Sequence, residues 1–260
     1  MKTTAEIKEM LASAEDWQPW MEAVEADPRK SVQALVASWR RKKEQQQKLL
    51  LDLETKLAFD RSFKEEAGDL VCGIDEAGRG PLAGPVVTAA VILPEDCSRL
   101  AGLDDSKKLS KTKREELAEL IKELAVSYAV HIQPPEKIDE LNIYQATKRS
   151  MVEAAARLQP TPAVILADAM MLEGGVRCES IIKGDAKSLC IAAASILAKT
   201  GRDALMDAYA EEYPVYGFDR HSGYGTKDHV EALRLHGPCP IHRKTFEPVK
   251  SILEAEHSLP

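Results

Sequence analysis

No apolar stretch in the 260 residues is long enough to cross a bilayer. The first ten residues, Met-Lys-Thr-Thr-Ala-Glu-Ile-Lys-Glu-Met, alternate charged with apolar side chains and lack the apolar core of a signal peptide, so a cytoplasmic location is expected. Five cysteines (Cys72, Cys97, Cys178, Cys190 and Cys239) are scattered without a single Cys-x-x-Cys pair. An odd, unpaired set suits neither a disulfide framework nor a zinc site, and free buried thiols are the plain reading. There is no internal repeat, no low-complexity tract, and neither the P-loop nor the dinucleotide-binding spacing of glycines. What remains is ordinary for a globular protein: 44% hydrophobic and 30% charged residues exclude disorder and fibrous architecture. The length suits one large domain with an appendage or two modest domains, and one catalytic domain with an extension is expected.

The net charge of -7, from 35 basic and 42 acidic residues, taken alone argues against a polyanionic partner. Its distribution argues otherwise. From Arg29 to Lys48 there are seven basic residues (Arg29, Lys30, Arg40, Arg41, Lys42, Lys43, Lys48) against Glu44, and from Asp105 to Arg114 five (Lys107, Lys108, Lys111, Lys113, Arg114) against Asp105. Either segment could grip phosphates, or be a solvated helix face.

Residues 3–68 read as helical. Thr3 and Glu6 have capping-box spacing ahead of Ile7, Met10, Leu11 and Ala14, and Asp27-Pro28 is expected to open a second helix running to about Leu57. This sets a helical extension, 1–68, apart from a catalytic domain, 69–260. In the latter, strands are expected at Asp69–Asp75, Pro85–Leu93, Val126–Gln133, Ala163–Ala167 and Glu179–Lys183. Helices are expected from Thr112, which has capping-box spacing with Glu115, over Tyr144–Leu158, and from Ala186 to about Tyr209, where Ala192, Ala193, Ala194 and Ser195 allow close packing. Strands first, then strands alternating with helices, imply an α/β fold with a mixed sheet covered by helices and a helical C-terminal segment.

The acids fall at strand ends: Asp75-Glu76 after the first strand, Asp168 after Val164-Ile-Leu-Ala, and Asp185 after Ile181-Ile-Lys-Gly. In open α/β sheets such positions meet in one crevice. Four carboxylates together need cations, and hard oxygen ligands select Mg²⁺ or Mn²⁺ over zinc. Two ions about 4 Å apart would equip the site for phosphodiester hydrolysis. Taken singly, Asp185 could be a helix cap and Asp168 a turn residue. Asp75 and Glu76 are harder to dismiss, although neighbours on a regular strand face opposite ways, so both can serve only if the strand breaks there or one acts through its carbonyl.

Residues 73–87, Gly-Ile-Asp-Glu-Ala-Gly-Arg-Gly-Pro-Leu-Ala-Gly-Pro-Val-Val, resemble the opening signature of the ribonuclease HII family. Asp105-Ser-Lys-Lys-Leu-Ser, Gly184-Asp-Ala-Lys-Ser, Ile191-Ala-Ala-Ala-Ser-Ile-Leu-Ala-Lys, Arg202-Asp and His221-Ser-Gly-Tyr-Gly-Thr follow in that family's order, so the resemblance spans about 69–245. It implies a ribonuclease H-like fold with Asp75, Glu76, Asp168 and Asp185 as catalytic, metal-binding carboxylates. It also implies that Gly78-Arg79-Gly80 reads the 2′-hydroxyl by close backbone approach, and that Tyr224 stacks on the deoxyribose beyond the ribonucleotide. Read as residues alone, that loop could be a tight turn and Tyr224 surface packing. Lys107, Lys108, Ser110 and Lys187 are candidate phosphate contacts, with solvated charges and a helix cap as the alternatives. His221 and His229 could assist at the site, with a satisfied structural histidine as the plainer reading of each. Ala169-Met170-Met171 departs from the small or polar residues expected after Asp168. The amino-terminal helices resemble an extension found in part of the family, unlike the sheet-containing appendage of ribonuclease HIII, and Arg40 to Lys43 could add duplex contacts.

The activity implied is endonucleolytic cleavage of RNA paired to DNA, and incision at single ribonucleotides in duplex DNA, leaving 5′-phosphate and 3′-hydroxyl ends. A DNA nuclease on the same fold and a non-catalytic duplex-binding module are the alternatives. A replication clamp is a candidate recruiting partner, and a monomer is expected.

Overall fold

The computed structural model describes residues 2–257; the first residue and the last three, where the expected segment boundaries meet the chain ends, lie outside the described residues. The chain divides into two compact units, Met1–Asp52 and Leu53–Pro260.

In the first unit the Thr3–Glu6 capping box opens helix α1 (Thr4–Ser13). The Glu6 N–H donates to Thr3 Oγ1 at 3.2 Å, and the Thr3 N–H donates to the Glu6 carboxylate at 2.6 Å. A second helix, α2 (Trp20–Glu25), was not legible, because six residues are too short to display a period. The long helix α3 (Lys30–Arg61) begins two residues after Pro28; Asp27 accepts from the Arg29 N–H and guanidinium just ahead of it. Ile7, Leu11, Met21, Val24, Val32 and Val36 make this unit's core.

The last turns of α3, from Leu53, belong to the second unit. Leu53 and Leu57 join its main core, and the buried Lys56 ammonium donates to the Leu103 carbonyl (3.1 Å) and pairs with Asp104 (3.2 Å). The Asp60 carboxylate, also buried, accepts from the Cys190 N–H at 3.0 Å.

The second unit is built on a five-stranded mixed sheet in the order β3-β2-β1-β4-β5: β1 (Val71–Ala77), β2 (Val86–Ile92), β3 (Ser127–Gln133), β4 (Val164–Asp168) and β5 (Arg177–Ile181). β1 and β2, and β2 and β3, are antiparallel; β1–β4 and β4–β5 are parallel. All five strands lie within two residues of the expected positions, β1 two residues later than expected. β5 lies two residues earlier, because Lys183 takes a left-handed conformation (φ 56°) and Ile182 is 72% exposed, so both leave the ladder.

Alternation along the strands separates two apolar layers. Ala89 and Val91 of β2 face α4 (Lys111–Leu124) and α8 (Leu189–Glu212), whereas Ala90 and Ile92, with Cys72 and Ile74 of β1, face α6 (Ile143–Ala155). The expected small-residue surface of α8 is fully used: Ala192, Ala193 and Ala194 have no exposed area and Ser195 is buried. The helix expected from Ala186 is in fact two, α7 (Gly184–Lys187) and α8, divided at Ser188, whose hydroxyl caps α8 by accepting from the Ile191 N–H. Ser110, not Thr112, caps α4. The chain closes with α9 (Phe218–His221), α10 (Lys227–His236) and α11 (Val249–His257), after a short α5 (Pro135–Leu141) between β3 and α6. All five cysteines are free, Cys72, Cys97 and Cys190 buried and Cys178 and Cys239 partly so, and no helix among the described residues is long and apolar enough to cross a membrane.

A chain beginning at Asp69 lacks Leu53, Lys56, Leu57 and Asp60. It should melt at least about 5 °C below one beginning at Leu53 in thermal unfolding followed by circular dichroism, since each large buried residue removed costs about 2–5 kcal/mol and each kcal/mol about 2–4 °C. Equal midpoints would exclude the end of α3 from this core.

Candidate active site

Gly73, two residues before Asp75 on β1, is where α8 crosses the sheet: a Cβ there would lie 2.1 Å from the Cys190 carbonyl carbon. Only glycine lets the helix lie this close to the strand. Parallel pairing sets Ile74 beside Ala167, so the next rung sets Asp75 beside Asp168 on the α8 face. β4 ends at Asp168, whereas β1 continues to Ala77 and is paired there with β2 alone. Glu76, which alternation points to the other face, therefore has no strand beside it on the β4 side and lines the same cleft as Asp75. The expected requirement for a break in the strand is thus replaced by the early end of its neighbour.

Asp185 is delivered by a tether. The Gly184 N–H donates to Asp168 Oδ1 at 2.7 Å, and a Cβ on Gly184 would come 2.5 Å from Ile191 Cδ1 and 3.2 Å from that carboxylate oxygen. Asp185 lies in the first turn of α7 and caps neither helix; Lys183 and Ser188 hold those positions. The unexpected residues after Asp168 turn the chain away from the cleft. Ala169 has φ 48° and donates to the Ile181 carbonyl, and Met170 is buried on the α6 side.

Burial, reinforced by the charges of Glu76, Asp168 and Asp185, holds the Asp75 carboxyl well above the ordinary carboxylate range, against one bond from the Glu76 N–H at 2.7 Å. Burial also raises Glu76, opposed by Arg79, whose guanidinium lies 3.4 Å from Oε1; the other oxygen, Oε2, is buried without a partner. Asp185 is raised by burial and by Asp105 and Asp168. Among the described residues no three His, Cys, Asp or Glu side chains already surround a common point as metal ligands. The donor set is nonetheless all oxygen, its charge offset only in part by Arg79 and Lys107 and one buried oxygen unpartnered, which fits a hard divalent cation that would draw the carboxylates together.

The Gly78-Arg79-Gly80 loop forms the next wall. Gly78 has φ 94°, and a Cβ on it would collide with Arg202 at 2.0 Å. Two guanidiniums with almost no exposed area fix this region. Arg243 donates to the carbonyls of Gly78, Arg79 (2.8 Å) and Gly84 (2.9 Å), and Arg202 to those of Ala83 (3.1 Å), Pro85 (3.0 Å) and Ser222 (3.0 Å). Burial lowers them to about 9 and about 10, so both remain charged at neutral pH. Tyr224, 48% exposed, stands at the same cleft with its Cε1 3.5 Å from where a Gly80 Cβ would be.

Of the twelve residues singled out from sequence, Asp75, Glu76, Asp168 and Asp185 share this cleft with Gly78, Arg79, Gly80, Lys107 and Tyr224. Lys108, Ser110 and Lys187 do not line it. Lys108 is paired with Asp104 at 3.0 Å, Ser110 caps α4, and Lys187 points to solvent from α7. Ser106, Ser195, Lys199 and Arg202 line the cleft without having been assigned a role. A signal for Arg202 existed, since it continues the buried stripe Ile191, Ser195, Ala198 at helical spacing. Arg243 offered none.

The family model described as ribonuclease HII matches residues 72–249, and one described as ribonuclease HII N-terminal domain matches residues 3–64. Ribonuclease HII of Bacillus licheniformis is 52% identical over 250 residues, covering 96% of this chain and 98% of that protein. Ribonuclease H2 of Pyrococcus horikoshii superposes with a TM-score of 0.64 at 29% identity, over 73% of this chain and 100% of the other. A chain in the PCNA:RNase HII complex from Archaeoglobus fulgidus does so with a TM-score of 0.60 at 30% identity, over 70% and 96%.

The Asp75 carboxyl titrates higher in the folded protein than its ordinary value of 3.8. Its favourable contribution to stability is therefore present at acid pH and is lost as the pH rises through the folded value. Without divalent cations, Asp75→Asn should melt above the parent protein at pH 8, and the gap should close toward pH 4. A variant that melts lower at pH 8 would show that the buried charge is compensated after all.

Proposed function

Because the chain belongs to the ribonuclease HII family and is a ribonuclease H enzyme, an endonuclease that binds RNA–DNA hybrids, we propose that it also incises at single ribonucleotides embedded in duplex DNA. The observation that carries this reading is that Tyr224 Cε1 lies 3.5 Å from where a Gly80 Cβ would be, which sets an aromatic ring beside a backbone loop in the cleft that the carboxylates line.

In this reading Asp75, Glu76, Asp168 and Asp185 hold Mg²⁺ or Mn²⁺, two ions when substrate is bound. The ions, when present, supply charge neutralisation and a more acidic attacking water. The carboxylates differ in freedom: Asp75 and Asp168 are fixed on adjoining strands, Asp185 is tethered through Gly184, and Glu76 keeps one oxygen free to turn. The loop at Gly78 to Gly80 offers backbone polar groups to the 2′-hydroxyl, the one feature that separates RNA from DNA at this place. Arg243, by engaging the Gly78 and Arg79 carbonyls, holds those amides in one orientation. Tyr224 stacks on the deoxyribose that follows, which favours an RNA-to-DNA junction. Arg79 and Lys107 contact phosphates in the cleft; Lys108, Ser110 and Lys187, outside its lining, serve only phosphates farther along the duplex. Hydrolysis leaves a 5′-phosphate on the ribonucleotide and a 3′-hydroxyl upstream.

The amino-terminal unit is read as an additional duplex contact. Within it Arg40 pairs with Glu25 at 2.7 Å and lies over Trp17, and Lys43 lies over Trp39, while Arg41 and Lys42 are exposed. The complex with PCNA formed by the A. fulgidus protein supports a replication clamp as recruiting partner. A cytoplasmic monomer is the form proposed for the enzyme.

With Mg²⁺, a DNA duplex carrying one ribonucleotide should be cut once, on its 5′ side, and the all-DNA duplex left intact. Asp75→Asn should lower cleavage at least about a hundredfold, in line with loss of a group that acts on the transition state, while hybrid affinity changes little. Equal cutting of all-DNA duplex would sink the proposal. Removing residues 1–52 should flatten the dependence of log affinity on log salt by about 0.9 for each phosphate that this unit neutralises; an unchanged slope would take it out of substrate binding.

A further inference from the structure

The backbone carrying Tyr224 is fixed at each residue. Arg202 donates to the Ser222 carbonyl (3.0 Å), the Leu82 N–H to that of Gly223 (2.8 Å), and the Thr226 N–H to that of Tyr224 (2.8 Å). Tyr224 has a second carbonyl partner, His229 Nδ1 at 2.8 Å, from a ring with no exposed surface. His229 Nε2 in turn lies 3.0 Å from Nε2 of the buried His242, and His242 Nδ1 lies 2.9 Å from the Cys239 N–H.

His242 Nδ1 also lies 3.3 Å from the Cys239 carbonyl, but burial lowers both imidazoles, His242 to about 4, and for two neutral rings these contacts favour one assignment of protons. A carbonyl only accepts, so His229 Nδ1 carries a hydrogen; an amide N–H only donates, so His242 Nδ1 is bare and its Nε2 carries the hydrogen, which it donates to the bare Nε2 of His229. The reverse tautomer of His242 would set two lone pairs against each other at 3.0 Å and leave the Cys239 amide unsatisfied. In this assignment every ring nitrogen is used, and the end product of the chain is a hydrogen aimed at Tyr224. Nothing else in the cleft requires these histidines: neither lines it.

We propose that His229, held in a single tautomer by His242, is a positioning residue for Tyr224 and thereby sets the preference for an RNA-to-DNA junction; this rests on the stacking role proposed for Tyr224. The readout is a ratio within each variant, kcat/KM on a duplex with one ribonucleotide divided by kcat/KM on a long hybrid, which does not change with the fraction of protein folded. His229→Leu should lower this ratio at least fivefold, as Tyr224→Ala does, and the double variant should fall no further than Tyr224→Ala alone. His229→Asn keeps a donor at the Nδ1 position and should restore the ratio to within twofold of the parent. An unchanged ratio in His229→Leu, with Tyr224→Ala still lowering it, or equal losses in the Leu and Asn variants, would overturn the inference and leave the stacking role standing. An unchanged ratio in Tyr224→Ala would overturn both.

Discussion

The mutual repulsion of Asp75, Glu76, Asp168 and Asp185 is the force against which the rest of the second unit is built. Like charges brought together in a buried crevice oppose folding until a cation arrives, and burial makes the opposition stronger than it would be in water. The protein resists with covalent and packed constraints. Asp75 and Asp168 cannot separate without breaking the β1–β4 ladder, and Asp185 cannot leave without losing the Gly184 bond to Asp168. Behind all three lies α8, whose first turns are buried against β1 with glycine at the crossing and small residues along the contact. The α8 amino terminus is secured by Ser188 and by Asp60 from the end of α3.

A second, opposite constraint operates a few residues away. Among the described residues Arg202 and Arg243 are buried cations that form no ion pair with a carboxylate, and their donors are spent on backbone carbonyls of the loops at 78–85 and 222. Desolvating a guanidinium is costly, and carbonyl oxygens recover only part of that cost. What they provide is geometry. These loops have few ladder bonds of their own, so a planar fork that engages three carbonyls at once fixes the path of a chain that regular secondary structure would not.

Most of the sheet was legible because its strands are short apolar runs bounded by glycine, proline or acids. β5 was offset because, as an edge strand beginning at Arg177, it shows no apolar period, and the pairing with β4 that defines it is not local. The capping error at α4 arose from two hydroxyls in the run Ser110-Lys111-Thr112, between which local spacing cannot choose. The four acids could be found because strand ends are visible in sequence and acids after apolar runs are conspicuous. Arg243, Lys56 and Asp60 were hidden by the opposite rule: a charged side chain reads as solvated, and burial beside particular carbonyls or amides is decided by tertiary contacts no spacing reports; Arg202 alone showed itself, by continuing a buried helical stripe.

The two kinds of buried charge meet in the discrimination proposed for the cleft. A single hydroxyl separates the two sugars, and a site that must use it gains most when its own polar groups would be left unpaired without it. Such a penalty is realised only if the loop cannot relax. Gly78 and Gly80 remove the side chains that would hold a ribose away, but glycine alone would leave the loop free to yield. Arg243 beneath the loop and the pinned backbone of Tyr224 beside it remove that freedom, and the tyrosine ring is left half-exposed at the cleft. Rigid backbone with one half-exposed aromatic face is the arrangement the proposed discrimination requires, the backbone to reject DNA and the stacking to select the ribonucleotide.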